Sequence, residues 1–416
     1  MLSRKPFQSA LAALSIMCLG AVAETDDTSS GKTDSSPYVY GSPAETYEYE
    51  AVGKPDRKYD VLLVRERKNN GAEAVDPETG KVVFRTDRHR RWNWEIIEWA
   101  LYNARVTAVL AGTYKMNAPI EIPVSNTNLI IGPGAELSWD TEVHTDSPRG
   151  LINNIRLDDV NIFNLGKLDA NYSRAAVIFN GRNGGECGIN GGMIFGVGAT
   201  DNVNGAYWLV DSANVKVPLA WSRRYGDALV VPEGCEDIEI GLVAGLALED
   251  RKRVSGKWSW WLQNEAVDVQ PRNIRTRIHQ VIAALTPKMD EVVDINNSPH
   301  TIVDKVVGYT TKFEDADPSE HSGRRKGFVD IHTYDSPHMR RLTQKPYEKP
   351  FIANSPGTVV KEAKLVNKEV TEWKTTVETP GFPDDLPVLR VNVRLTAVFE
   401  DGSEEVVFRK KYKFEL

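Results

Sequence analysis

The sequence has no long apolar run, few cysteines and no excess of positive charge, and each shortage excludes something. The longest apolar stretch, Leu11 to Val22, is too short to cross a bilayer, so no membrane span is expected. Three cysteines in 416 residues cannot frame a disulfide scaffold. Lys and Arg total 51 against 58 Asp and Glu, a formal charge of −7, so the global basic footprint of a nucleic-acid binder is missing. An apolar content of 41% still supports a large core.

Residues 1–23 carry the marks of a secretory signal: Arg4 and Lys5, then the run Leu11 to Val22, then Ala21-Val22-Ala23 as a small-residue cleavage site. Export, to the periplasm or beyond, is the expectation. Ile16-Met17 before Cys18 is bulkier than a lipid-anchor site tolerates. Residues 24–45 are polar and rich in Ser, Thr, Asp and Pro, as in a flexible linker. The main domain is expected over 46–345 and a β extension over 346–416.

What the chain does have is a recurring strand. GDALVV (Gly226 to Val231), NEAVDV (Asn264 to Val269), DEVVDI (Asp290 to Ile295) and KGFVDI (Lys326 to Ile331) follow one another at intervals of 38, 26 and 36 residues. A constant core with variable connections is the pattern of a solenoid. Stacked in parallel about 4.8 Å apart, the last three segments align Asp268, Asp294 and Asp330 into a column. Asp227 is a further candidate for it. On the same spacing Cys187 and Cys235 fall about two coils, ~9.6 Å, apart. That exceeds disulfide reach, so both are expected as small core residues.

Upstream, Tyr59 to Arg67 and Lys81 to Thr86 read as strands around the turn-rich NNGAEAVDPETG. Trp92 to Asn103 reads as a helix with Trp92, Ile96, Trp99 and Ala100 on its apolar face. Short strands follow, separated by Gly, Pro and Asn. Asn180, Asn183, Asn190, Asn296 and Asn297 are placed at turns and are expected to form side-chain ladders. Ser355 to Leu416 alternates with period two around Asp401-Gly402, as antiparallel strands do. These strands are expected either to cover the end of the solenoid or to form a small appended unit.

The order helix, VLAGTY (Val109 to Tyr114), IEI (Ile120 to Ile122) and NLIIGPGAEL (Asn128 to Leu137) resembles the first coils of right-handed parallel β-helix enzymes, the pectin-lyase-like superfamily. The resemblance covers roughly Trp92 to His332. It implies an all-β fold: a right-handed parallel β-helix with an N-terminal capping helix and a small C-terminal antiparallel extension.

Chemistry is expected where the connections lead into the four recurring strands, because all four are basic. They carry Arg223, Arg224 and Tyr225; Lys252, Arg253, Lys257, Trp258, Trp260 and Trp261; Lys288; and Lys312, Arg324 and Arg325. A polyanionic sugar needs cations for its carboxylates and flat rings for its pyranose faces, and arginine offers a bidentate fork. The first nine of these residues are therefore candidates for binding substrate. The acids Asp268, Asp290 and Asp294 suit a hard cation such as Ca2+. Asp290-x-x-x-Asp294 resembles the metal-binding pair of calcium pectate lyases. β-Elimination requires the uronate carboxylate to be neutralised and a base to take the proton at C5. The resemblance implies Arg or Lys as that base, which makes Arg324, Arg325, Lys312 and Lys288 the catalytic candidates.

The expected activity is a polysaccharide lyase on alginate or pectate, acting as a monomer, with an acidic polysaccharide as its partner. A β-helix glycoside hydrolase using the aspartate column and a non-catalytic sugar-binding β-helix are the alternatives. The Asn-Thr-Asp, Asp-Asp, Gly-His-Gly and Arg-Ile-Lys set of polygalacturonases and the Asp-Pro-His-Asp motif of alginate epimerases are absent. Asn296 stands where a pectate lyase often has Lys.

Overall fold

Short runs of Val, Ile, Leu and aromatic residues, punctuated by Gly, Asn and Asp, become short strands joined by tight turns. The computed structural model describes residues 57–67, 71–85, 93–139, 150–170, 176–181, 189–201, 205–223, 225, 228–246, 265–285, 292–310, 329–332 and 357–416. The chain divides into Met1–Lys54 and Pro55–Leu416, and every described residue falls in the second unit. The expected leader and linker lie outside the described residues.

The described chain opens with β1 (Tyr59–Glu66), β2 (Ala72–Val75), β3 (Val82–Arg85) and the helix α1 (Asn93–Asn103). It then makes repeated circuits. The first two are β4 (Ala104–Val109), β5 (Gly112–Met116), β6 (Ile120–Glu121), then β7 (Thr127–Ile131), β8 (Ala135–Trp139), β9 (Gly150–Asn154). Two more add a short strand each: β10 (Val160–Asn164), β11 (Lys167–Asp169), β12 (Ala176–Gly181), β13 (Ile189–Asn190), then β14 (Met193–Gly196), β15 (Ala199–Asp201), β16 (Tyr207–Val210), β17 (Ser212–Ala213). Later circuits have two strands each: β18 (Lys216–Ser222) and β19 (Ala228–Glu233), β20 (Glu239–Gly245) and β21 (Glu265–Val269). β22 (Arg277–Leu285) and β23 (Val293–Asn296), then β24 (Ile302–Thr310) and β25 (Val329–His332), continue the pattern. The chain closes with β26 (Val359–Glu378), β27 (Val388–Phe399) and β28 (Glu404–Glu415).

Successive strands of a circuit go to different sheets, and equivalent strands of successive circuits pair in parallel. A 14-stranded sheet runs β28-β27-β26-β24-β22-β20-β18-β14-β10-β7-β4-β1-β2-β3, and an 8-stranded sheet runs β25-β23-β21-β19-β16-β12-β9-β6. A 4-stranded sheet, β15-β11-β8-β5, completes the early circuits. The molecule is thus all-β with long stacked parallel sheets, an arrangement compatible with a β-helix or solenoid. Its interior is lined by in-register apolar columns such as Val217, Ile240, Ile278 and Val303, all fully buried.

β2 lies inside the stretch expected to be a turn and bridges β1 and β3 antiparallel. α1 buries Trp94, Ile96, Ile97, Ala100 and Leu101. Trp99, expected on the buried face, is only half-buried and stacks on Phe84 with ring centroids 4.5 Å apart. Two polar side chains of α1 satisfy backbone groups of the first circuit. Asn93 donates to the Lys115 carbonyl at 3.0 Å, and the Glu121 N–H donates to Glu98 at 2.7 Å.

The turn from the 8-stranded sheet to the 14-stranded sheet repeats a left-handed residue: Asn126, Asp159, Gly191, Asn214, Asp237, Arg275, His300 and Gly357. From Asn126 to Arg275 each donates its N–H to a carbonyl of the next circuit. Asn, Asp and Gly accept this conformation most readily. Gly357 has a further reason, since a Cβ there would lie 2.2 Å from His300 Nδ1. The expected ladders appear as Asn154 to Asn180 at 2.7 Å and Asn214 to Asn190 at 2.7 Å, with Asn161 to Asn128 at 2.9 Å in addition. Asn297 adopts a left-handed turn, Asn296 ends β23 and joins no ladder among the described residues, and Asn183 lies outside them. Cys235 is buried, its thiol donating to the Glu233 carbonyl at 3.3 Å; Cys187 lies outside the described residues.

Between β14 and β18 the register slips by one residue. From β18 onward the interior-facing positions stand three apart, Val217 and Ala220, Ile240 and Val243, Ile278 and Val281, Val303 and Val306. Two consecutive residues therefore point outward in each strand, as at a β-bulge. The extra outward column puts His279, Asp304 and Lys361 level on β22, β24 and β26. Asp304 takes Lys361 at 2.6 Å and His279 at 2.9 Å, while His279 Nε2 faces Glu239 at 3.2 Å.

The extension does not sit over an end. The first half of β26 continues the parallel sheet beside β24, and its second half pairs antiparallel with β27. The second half of β26, with β27 and β28, folds back over the outer surface of the sheet's own parallel part. Phe163, Phe195, Leu219, Trp221, Leu242 and Ile282 share one buried cluster with Trp373, Val391, Leu395, Phe399 and Tyr412. Phe195 meets Tyr412 at 5.0 Å and Phe414 at 5.3 Å between ring centroids. Tyr309 meets Trp373 edge-on at 5.5 Å.

Candidate functional site

The 8-stranded sheet brings the recurring segments together. Val267, Asp268 and Val269 pair with Val293, Asp294 and Ile295, and these with Val329, Asp330 and Ile331. The aspartates are level, as the spacing implied. The first segment is displaced by one residue: Ala228 pairs with Glu265 and Val230 with Val267, so Val231 rather than Val230 is level with Asp268. A one-residue displacement changes which side chain joins a column, because strand side chains alternate. Asp227 lies outside the described residues.

Extended toward earlier circuits, the column continues through Trp208, Phe179, Asn153 and Glu121. The alternate residues Ile152, Ile178, Tyr207, Val230, Val267 and Val293 are fully buried, which puts this column on the outward face. Phe179 and Trp208 contact edge-on at 6.4 Å and form a small apolar cluster separate from the main core. The outward face thus carries an aromatic pair and, further along, a row of carboxylates.

A second outward column lies beside the first: Glu233, Gln270 and Asn296. Gln270 donates its amide to the Asp268 carboxylate. Asp268 and Asp294 are only 7% and 6% exposed. Asn296 is fully buried, and among the described residues neither its amide nitrogen nor its amide oxygen has a hydrogen-bond partner. Leaving such a group unsatisfied costs about 1–3 kcal/mol, so Asn296 stands out beside the acids. Burial pushes the Glu233 carboxyl above its ordinary range, opposed by the Arg272 guanidinium. Arg272 Nη2 stands 3.4 Å from Glu233 and its Nη1 3.7 Å from Asp211.

The four basic connections begin and end in rows. Ser222, Gly245, Ala283 and Gly308, near the ends of β18, β20, β22 and β24, are level. The strands that receive the connections, β19, β21, β23 and β25, are neighbours in the 8-stranded sheet. Arg224, Lys252, Arg253, Lys257, Trp258, Trp260, Trp261, Lys288, Asp290, Lys312, Arg324 and Arg325 lie outside the described residues.

Two expected substrate contacts are placed otherwise. Tyr225 is fully buried, and a Cβ added to Gly245 would lie 2.4 Å from its hydroxyl. Glycine on the next circuit makes room for the phenol, so Tyr225 is a core residue. Arg223 donates through Nη2 to the Trp373 carbonyl, with Thr375 Oγ1 at 3.5 Å, and so engages β26. Trp208, Glu233, Gln270 and Arg272 were not anticipated. The expectation concerned connections leading into the strands, whereas Gln270 and Arg272 follow β21 and Glu233 ends β19.

For a hard cation the donor set fits in kind: two neighbouring carboxylates and an amide oxygen with no other partner among the described residues, all oxygen ligands. Among the described residues no three His, Cys, Asp or Glu side chains are grouped to hold a metal. No helix among them is long and apolar enough to cross a membrane. No protein-family model, curated protein or solved structure matches the chain.

Proposed function

We propose that the stacked sheets form a right-handed parallel β-helix of the pectin-lyase-like kind and that the protein is an exported, monomeric polysaccharide lyase acting on alginate or pectate. Right-handed crossovers are nearly universal for parallel strands. Asn93 and Glu98 support α1 as the cap, since both bond backbone groups of the first circuit. The observation that carries the functional reading is the level row Asp268–Asp294 in a sheet whose strands β19, β21, β23 and β25 each follow a basic connection in the sequence.

In this reading a uronate chain lies across the outward columns, with a sugar ring over the half-buried Trp208, which Phe179 backs from beneath. Asp268, Asp294 and Asn296, with Asp290 as a further candidate, would hold a hard cation such as Ca2+. Bound there, the cation would neutralise the uronate carboxylate and acidify the C5 proton. Lys288, Lys312, Arg324 and Arg325 supply the candidates for the base that removes that proton. The electron pair forms the C4–C5 double bond as the C4–O bond breaks, and the leaving oxygen takes a proton. Lys252, Arg253, Lys257 and Arg224 would hold neighbouring carboxylates, and Trp258, Trp260 and Trp261 would supply further ring faces.

A second reading, glycoside hydrolysis, is favoured by one feature. Glu233 is a carboxyl kept protonated to higher pH by burial, in the column beside the aspartate row, as a general acid would be. Incubation with alginate and with pectate, with and without chelator, separates the two. Unsaturated ends detected by absorbance support the lyase. Reducing ends without unsaturation support the hydrolase and sink the lyase.

A further inference from the structure

The antiparallel extension turns its second face to solvent, and the charges on that face are unevenly balanced. Its outward residues include Arg390, Asn392 and Arg394 on β27 and Arg409, Lys411 and Lys413 on β28. Register puts Arg394 directly opposite Arg409, Asn392 opposite Lys411 and Arg390 opposite Lys413. The flanking cations have acidic partners: Arg390 pairs with Asp385, Lys413 with Glu415 at 2.8 Å, and Lys374 with Glu404. The three in the centre, Arg394, Arg409 and Lys411, are exposed and make no ion pair among the described residues, although Glu378 faces Asn392 on the same side and Arg394, after Lys374, helps to hold the Glu404 carboxyl below its ordinary range.

Like charges directly opposite each other across strands destabilise a sheet. Cations on an edge strand have a use, since they deter pairing with other chains. That accounts for Arg409 and Lys411, because β28 is the edge of the sheet. It does not account for Arg394, which is on β27 between β26 and β28. In a chain with a net charge of −7, a cluster of cations facing one another calls for an anionic occupant.

We infer that this face binds an extended anionic polysaccharide and forms a second binding surface, apart from the aspartate row. Arg409, Lys411 and Lys413 alternate along β28 at about 6.8 Å, with Arg390 and Arg394 alongside about 4.8 Å away. A linear polymer with a carboxylate on every sugar meets successive cations along such a strip, and the guanidinium forks suit carboxylates. Nucleic acid fits less well, because the outward residues of β27 and β28 include no aromatic ring on which bases would stack. The choice of a uronate polymer rests on the proposed substrate class.

The test is affinity electrophoresis of the full chain through gels containing alginate, polygalacturonate or neutral dextran, with a DNA mobility shift in parallel. Two variants are compared with the parent, Arg394→Gln and the triple Arg394→Gln/Arg409→Gln/Lys411→Gln. The parent is expected to be retarded by a polyuronate and not by dextran. Affinity falls about tenfold in the triple variant and about threefold in Arg394→Gln. Thermal midpoints stay level or rise, because repulsion has been removed. Equal retardation of parent and both variants overturns the inference, as does a parent that no polyuronate retards or that binds DNA more tightly. Assaying the same samples for unsaturated ends keeps the readings distinct. Retardation lost in the variants without any unsaturated product supports this surface and sinks only the lyase.

Discussion

Replacing Phe195 by alanine tests how the extension is held. Phe195 is fully buried, and its ring lies 6.2 Å from Phe163, 5.0 Å from Tyr412 and 5.3 Å from Phe414. Two of those neighbours belong to β28, so the ring joins the 14-stranded sheet to the extension. Removing a buried phenyl group costs about 3–5 kcal/mol from lost transfer energy and the cavity left behind. Each edge-on aromatic contact adds about 0.5–1.5 kcal/mol within that total. The loss should fall unevenly, because stacked-strand proteins open locally before they unfold. Hydrogen exchange at residues 404–415 should accelerate well before exchange in β18 to β22. Ile194→Ala is the control: Ile194 is equally buried, is adjacent in sequence, and points to the other side of β14. It should destabilise the protein without selectively exposing β28. If Phe195→Ala costs less than about 1 kcal/mol, or leaves β28 protection unchanged, the docking described here is wrong.

Other outcomes follow from individual groups. Burial holds the Glu98 carboxyl well above its usual range, so its contribution to stability is full below the unfolded carboxylate pKa and is lost as pH rises through the folded value. Glu98→Gln keeps an acceptor for the Glu121 N–H and should flatten the fall in thermal midpoint above about pH 4.5. Asp304 is drawn down to about 2, first by Lys361 and then by Arg277 and His279, so its contribution is present above the ordinary Asp value and lost as pH falls through 2. With partners about half exposed, Asp304→Asn should cost about 1 kcal/mol at neutral pH and remove that acid-side loss in urea titrations. Gly245→Ala should destabilise by about 1–3 kcal/mol in denaturant melts, since its methyl group meets the Tyr225 hydroxyl, and Tyr225→Phe should restore part of the loss. Asp294→Asn should abolish unsaturated-product formation while leaving the thermal midpoint no lower, and normal turnover would remove the aspartate row from the chemistry.

Much of the architecture is legible along the chain because it is local. A strand core recurring at 26 and 36 residues placed Asp268, Asp294 and Asp330 level, and the register agrees. The first interval misled by one residue, because a shift between similar apolar residues leaves the hydrophobic pattern almost unchanged. β2 is not legible in the sequence because AEAV, among Gly, Asn and Pro, has little strand propensity, and pairing with β1 and β3 overrides it. Trp99 was assigned to the buried face by helical spacing alone, and the spacing could not say that β3 would bring Phe84 against it.

The site was legible in part for the same reason. The acidic column could be read from repeats, but Tyr225 could not be told from a surface aromatic until its neighbour across the stack was known to be Gly245. Sequence by itself determined that the chain is built of stacked strands, where the circuits turn, and which acids fall level, since strand period and turn chemistry depend on adjacent residues. Only the tertiary structure decided that β26 to β28 lie along the 14-stranded sheet rather than over its end. It likewise decided that Arg223 grips β26 and that Asn296 is enclosed beside the aspartates. Those outcomes depend on contacts between residues far apart in the chain: Arg223 with Trp373, Phe195 with Phe414. An apolar strand face records that it must be covered and leaves open what will cover it.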